Sequence, residues 1–205
     1  MEEKAEKILK VATQEFATSG YHRTKMETIA EKAEVSKGLV FHYFKSKKKL
    51  YTTAITVAIE TLQALFDYDK FPKDSLLSLF EYSLALKFSI AKSHEFEMGL
   101  MIEVYSHLET LPPDLQKDIM AYIEDTTQTS YRIIASIIRQ MPIKEEFTEE
   151  EVVKLVLMVF NQIELEAKAK MQHEPISDLS QFDELIKETS QQMKILEQGF
   201  LKKSN

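Results

Sequence analysis

Five lysines stand within thirteen residues of one another, Lys37, Lys45, Lys47, Lys48 and Lys49, and hydroxyl residues suited to capping helices, Thr24 and Ser36, lie on the same stretch. Ammonium groups gathered beside backbone amides at a helix start suit phosphate oxygens, and they sit poorly at that end of a helix otherwise, since cations favour the C-terminal end. A solvated lysine face is the plainer use of such a cluster. Its setting adds weight to phosphate binding. Residues 24–50 read as two short helices around a tight corner at Glu34-Val35, followed by the start of another helix, which is the layout of a helix-turn-helix that sets one helix in the DNA major groove.

Other chemistries find little support. Glu103 and His107 are four apart, and His94 precedes Glu95, but the residues that follow do not complete HExxH, and the paired Glu-x-x-His of di-iron bundles is missing. Without a glycine-rich phosphate loop or a nucleophile elbow, no catalytic residue, metal ligand or cofactor is expected, and the chain reads as a non-enzyme. It has no cysteine, which removes disulfides and thiolate metal sites. The charged, amphipathic start is unlike a signal peptide, and the longest apolar run, 155–160, is too short to span a bilayer, so a cytoplasmic protein with no membrane partner is expected.

Charge is divided unevenly. The net −7 of the 205 residues resolves into +4 over residues 1–50 (11 Lys/Arg against 7 Asp/Glu) and −11 over 51–205 (15 against 26). A basic end on an acidic body suits a protein that meets phosphates with one end only, although solvated helix faces produce asymmetry too.

The elements that must carry these residues are helices. Glycine (4) and proline (5) are scarce, and 3.6-residue periodicity dominates. The fold class is therefore all-α, with about nine helices. The expected spans are 2–19, 25–33, 37–44, 47–68, 74–92, 95–107, 114–140, 149–172 and 178–201. Thr24 with Glu27, and Thr148 with Glu151, have the spacing of capping boxes, and Ser36 caps the third helix. Val35 is expected in a small core with Ile29, Val40 and Phe44, which leaves Lys37, Gly38, Leu39, Phe41 and His42 less committed to packing. Glycine inside a helix costs about 1 kcal/mol against alanine. Gly38 is explained either by close approach of the helix to DNA or by relief of a crowded first turn.

The stretch from Thr24 to Leu50 resembles the DNA-binding domain of the TetR family of transcriptional regulators. Thr24, Ile29, Ala30, Ala33, Val35, Ser36, Gly38, Tyr43, Phe44, Ser46, Lys47 and Leu50 fit the family pattern, and Phe16-Ala17 with Gly20-Tyr21 is similar to its first helix and exit. The resemblance implies an N-terminal helix-turn-helix domain over 1–50, joined by a continuous helix to a helical ligand-binding and dimerisation domain over 51–205. It also implies Lys37 and Gly38 at base edges and Thr24, His42, Tyr43 and Lys47 on phosphates, with Ser36, Lys45 and Lys48 beside them. Three positions depart from the pattern. Glu34 replaces glycine where left-handed backbone is expected. Leu39 offers apolar contact, for instance to a thymine methyl, in place of a hydrogen bond. Phe41 lacks a tyrosine hydroxyl.

A single recognition helix offers little specific contact, so a two-fold dimer is expected on double-stranded operator DNA. The stripe Leu179, Phe182, Ile186, Thr189, Met193, Leu196, Phe200 of the last helix and the apolar 152–160 of the one before it are either a dimer seam or internal core, and the resemblance implies a homodimer through these last two helices. The body is rich in aromatics and methionine. Phe80, Phe88, Met98, Met101, Ile102, Tyr105, Tyr122, Tyr131 and Ile134 form either ordinary core or the lining of a cavity for an apolar or amphipathic effector, the second being what the resemblance implies. Glu103, Asn161 and Glu164 interrupt apolar segments and need partners there, and a pocket carboxylate would favour a cationic ligand. The function expected is a ligand-responsive DNA-binding regulator, most simply a repressor released from its operator by a small molecule. The alternatives are a DNA-binding protein without a ligand and, more remotely, a helical-bundle enzyme.

Overall fold

The computed structural model describes residues 3–173 and 180–202, and within them all side chains but those of 164, 167–173 and 180–185. Nine α-helices are found among the described residues: α1 (Glu3–Arg23), α2 (Met26–Lys32), α3 (Lys37–Phe44), α4 (Lys47–Gln63), α5 (Leu76–Ser93), α6 (Glu95–Ser106), α7 (Pro113–Ile138), α8 (Glu149–His173) and α9 (Ser180–Phe200). None of them is long and apolar enough to cross a membrane.

Two compact units make up the chain, Met1–Tyr68 with Lys87–Met120, and Asp69–Leu86 with Ala121–Asn205. The sequence expectation divided it at residue 50. In the first unit α1 packs on both α4 and α6, so this unit joins the first three helices to parts of the chain that lie well beyond them. Its core holds Ile8, Ala12, Phe16, Ile29, Val40, Leu50 and Ala54, all removed from solvent. Burying a side chain such as Phe16 contributes about 1.5–3 kcal/mol. Phe16 meets Tyr51 edge-on, with ring centroids 4.8 Å apart. A β-carbon added to Gly99 of α6 would lie 3.4 Å from the Ala17 β-carbon, so two small residues let α1 and α6 approach closely.

The helix starts follow their caps, with one exception. Ser36 accepts from the Leu39 amide at 3.2 Å, Ser46 accepts from that of Lys49 at 3.1 Å, and α3 spans the residues expected of it. Thr148 and Glu151 form a reciprocal box: the Thr148 amide donates to Glu151 Oε2 at 2.8 Å, and the Glu151 amide donates to Thr148 Oγ1 at 3.3 Å. The Thr24–Glu27 box does not form. Lys25 is the N-cap of α2, and the buried Thr24 hydroxyl instead donates to the carbonyls of Gly20 at 2.8 Å and Glu15 at 3.1 Å. These bonds tie the residue before α2 to the end of α1, where that helix breaks at Gly20 (φ 72°, ψ 169°), and they replace the cap. α4 stops at Gln63, and a short 3₁₀ turn at Tyr68–Lys70 replaces its expected last turn.

In the second unit Phe80 packs edge-on against Phe160 at 4.9 Å, and the Ser190 hydroxyl donates to Glu81 at 3.1 Å. Thr189, Met193 and Phe200 of α9 are buried within the chain, and Ile186 and Leu196 are half-buried. This stripe is therefore internal core in the chain, the second of the two expectations for it. Leu179 lies outside the described residues, and so does the side chain of Phe182. Among the described residues of α8 and α9 the large apolar groups left exposed are Leu155, Met158 and Leu165 of α8 and Ile195 of α9.

Candidate nucleic-acid interface

The corner that precedes α3 is closed by backbone geometry. The Val35 amide donates to the Ala30 carbonyl at 2.9 Å, and Glu34 holds the left-handed conformation (φ 55°) in which glycine is ordinarily preferred. The exposed Glu34 carboxylate is paired with Lys7, whose ammonium holds its pKa below the usual carboxylate range. The negative charge that replaces glycine here is thus matched by a cation from α1. Val35 is half-buried, and Val40 and Phe44 anchor α3 to the core.

With Val40 and Phe44 turned inward, α3 presents Lys37, Gly38, Phe41 and His42 to solvent, with Leu39 and Tyr43 half-buried beside them. Only the Ser36 hydroxyl, at 3.9 Å, would approach a β-carbon added to Gly38. The first turn is not crowded by side chains, so relief of crowding does not explain this glycine. Lys37 is paired with Glu27 of α2, and this hydrogen bond holds the Glu27 carboxyl below its usual pKa. The Lys37 ammonium also lies 5.8 Å from the Phe41 ring centroid.

The other lysines are held at different strengths. Lys45 (φ 61°) donates to the His42 carbonyl at 2.7 Å. Lys47 donates to the His22 carbonyl at 3.2 Å and stands 4.7 Å above the centre of the Tyr21 ring, where burial pushes its pKa down. Lys48 lies 3.5 Å from Asp114 at the start of α7. Lys49 is exposed. Ser36 is occupied as a cap, and Thr24 has its one hydroxyl hydrogen directed at backbone carbonyls. The contacts of Glu27 with Lys37, and of Tyr21 and His22 with Lys47, escaped the sequence reading because they join separate helices.

Residues 8–54 match the family described as "Bacterial regulatory proteins, tetR family". Over these residues the chain is similar to that family. Its similarity to characterised members extends beyond the first helices. The biofilm operon icaADBC HTH-type negative transcriptional regulator IcaR of Staphylococcus aureus is 23% identical over 154 residues, covering 75% of this chain and 78% of that protein. The HTH-type transcriptional regulator RutR of Escherichia coli is 28% identical over 123 residues, 60% of this chain and 58% of RutR. A transcriptional regulator of Saccharomonospora viridis, solved in complex with choline, shares the fold over 99% of this chain and 100% of its own, with a TM-score of 0.67 and 14% identity.

The residues expected to line an effector pocket differ in burial. Phe80, Met101 and Ile134 are buried, whereas Phe88, Met98, Tyr122 and Tyr131 are half-buried. Ile102, Tyr105 and Asn161 are exposed, and the side chain of Glu164 lies outside the described residues. Glu103 alone of this set lines the cleft of about 480 Å³ found in the first unit, together with Gly20, Tyr21, Arg23, Lys48, Tyr51 and His107. No spacing in the sequence points to this cleft, because its walls come from the end of α1, the first turns of α4 and the last turns of α6.

Proposed function

We propose that this regulator is a dimeric, ligand-responsive repressor that docks α3 in the major groove of double-stranded operator DNA. The outward face of α3 carries the proposal: Lys37, Gly38 and Phe41 are exposed on a helix fixed by Val40 and Phe44, and among the described residues only the Ser36 hydroxyl comes within 4 Å of a β-carbon placed on Gly38. Lys37 and Gly38 approach base edges, and Leu39 and Phe41 offer apolar contact there. His42, Tyr43, Lys45, Lys47 and Lys48 face the phosphates, helped by the amides at the Ser46-capped start of α4. The domain division in this reading is functional, 1–50 for DNA and 51–205 for effector and dimer, and it need not coincide with the packing units. The DNA partner makes the cytoplasm the expected place of action.

A two-fold dimer suits a palindromic operator whose half-sites lie about 34–36 Å apart, or a multiple of that. Leu155, Met158 and Leu165 share one exposed face of α8, and Ile195 is exposed on α9. Their exposure supports a homodimer through the last two helices, with a seam on the outer face of α8 and not on the buried stripe of α9. The choline complex of the S. viridis regulator supports effector binding by this fold. An effector releases DNA only through unequal affinity for two states of the dimer. The direct test is binding of the full chain to duplexes from the neighbourhood of its own gene. Tight binding that Lys37→Ala weakens supports the reading, and binding indifferent to Lys37→Ala rules out α3 as the reading helix.

A further inference from the structure

We infer that the cleft between the end of α1, the start of α4 and the end of α6 is a binding site for a small zwitterion, a molecule of amino-acid to dipeptide size with an ammonium at one end and a carboxylate or phosphate at the other. The inference deepens the regulator reading, and only its consequence for DNA rests on that reading.

The inner end of the cleft is negative. Glu103 is largely withdrawn from solvent, its side chain 18% exposed. It accepts from the Tyr51 phenol at 3.0 Å and stands 3.5 Å from His107 Nδ1, and among the described residues no lysine or arginine pairs with it. The break at Gly20 ends the regular part of α1, and a helix C-terminus favours positive charge. Tyr21 and Tyr51, with ring centroids 4.7 Å apart, also line the cleft, Tyr51 almost wholly buried and Tyr21 with the Lys47 ammonium over its ring. The outer end is positive. Arg23 is exposed, and Lys48, its side chain 52% exposed, is held only by Asp114 at 3.5 Å. A simple cation meets Arg23 and Lys48 unfavourably, and a simple anion meets Glu103 unfavourably. One ligand with both charges satisfies each end. A volume of about 480 Å³ is within the range of small-molecule sites.

The site also touches the part of the molecule that must move. Gly20 leads into α2, Tyr51 belongs to α4 and Glu103 to α6. An ammonium that takes the Glu103 carboxylate competes with the Tyr51 phenol for it, so occupancy changes a bond between α4 and α6.

The test uses the full chain without DNA. The chain has no tryptophan, so its emission comes from its eight tyrosines, Tyr21 and Tyr51 among them. γ-Aminobutyrate and O-phosphoethanolamine are the zwitterionic probes, with choline as the cation alone and acetate as the anion alone, at constant ionic strength. The expected result is saturable binding of at least one zwitterion, about tenfold or more tighter than either half, a difference large enough to separate a two-ended site from a single contact. Glu103→Gln and Lys48→Ala each weaken it about tenfold. Since Glu103→Gln alters packing too, Thr110→Phe provides a second variant: it obstructs a lining position while leaving the Tyr51–Glu103 bond in place, and it abolishes binding. Choline binding as tightly as the zwitterions, zwitterion binding untouched by Lys48→Ala and Thr110→Phe, or no saturable binding of either zwitterion would each overturn the inference. DNA affinity measured on the same preparation without probes reports separately on the regulator reading.

Discussion

The phenol of Tyr51 donates to Oε2 of Glu103 across 3.0 Å, while Oε1 of the same carboxylate lies 2.6 Å from where a β-carbon on Gly20 would stand. One side chain of α6 thus fixes α4 by a hydrogen bond and occupies the space that a glycine leaves open in α1. The helix that leads into the DNA-binding corner, the helix that follows it and a helix from further along the chain meet at this point.

Gly20→Ala is expected to be costly for two separable reasons. The backbone at φ 72°, ψ 169° belongs to a region almost reserved for glycine, and the new methyl collides with Glu103. Strain of this kind costs about 1–3 kcal/mol. Urea unfolding of Gly20→Ala in wild-type and Glu103→Ala backgrounds separates the terms. The cost falls when the carboxylate is absent but does not vanish, because the backbone strain persists.

Tyr51→Phe removes a hydrogen bond to a charged group, with an expected loss of about 1–3 kcal/mol, toward the lower end because water reaches part of Glu103. It also changes the response to alkali. Burial first, and then the negative charge of Glu103, raise the Tyr51 phenol far above its usual range. In the unfolded chain a phenol loses its proton near pH ~10, whereas the folded chain holds it. The stabilisation is therefore complete below about pH 10 and is lost as pH rises above it, by about 1.4 kcal/mol per pH unit for one proton. Equilibrium unfolding between neutral pH and alkali should show a slope that is shallower by one proton in Tyr51→Phe.

Much of this arrangement was legible in the sequence, and the limits have physical causes. The bounds of α3 and its Ser36 cap follow from local rules, as does the Thr148–Glu151 box, since each is settled within four residues. The left-handed backbone at Glu34 was legible because the corner geometry demands it. Thr24 was misread as a cap because its hydroxyl is taken by carbonyls of another helix, α1. A stripe of apolar residues on α9 has the same spacing whether it meets its own chain or a second copy. Burial of Thr189 and Met193 decides that question, and Leu155, Met158 and Leu165 are left as the outward face. The cleft was invisible because Gly20, Tyr51 and Glu103 are far apart in sequence, although Gly20 as a helix stop and Glu103 as a carboxylate among apolar residues each gave a signal.

Charge at Met158 or Leu165 tests the dimer surface. Met158→Glu with Leu165→Glu should give a folded monomer, since both side chains are already exposed in the single chain. Sedimentation equilibrium reads the mass and circular dichroism reads the helix content. A double variant that remains dimeric places the seam elsewhere.

Glu27 competes with DNA for Lys37. Glu27→Gln breaks the ion pair and removes a negative charge beside the proposed interface, so affinity for any duplex should rise several-fold, most at low salt. Fluorescence anisotropy across a salt series detects this, and unchanged affinity would place Lys37 away from DNA.

Lys47→Ala should act in the opposite sense and without regard to sequence, because its role is assigned to phosphate. The slope of log affinity against log salt should fall by about 0.9, the value for one phosphate contact. The tether to His22 and Tyr21 holds Lys47 in position, so Lys47→Arg should restore part of the affinity, while Tyr21→Leu should weaken binding with Lys47 intact.

The central claim is that α3 reads a two-fold DNA site. Selection of bound duplexes from a random pool by the full chain tests it most directly. The account predicts enrichment of an inverted repeat with half-sites about 10 base pairs, or a multiple of that, apart, whose consensus changes within the half-sites for Lys37→Ala. Enrichment of no sequence, or of a consensus that Lys37→Ala leaves unaltered, would contradict it.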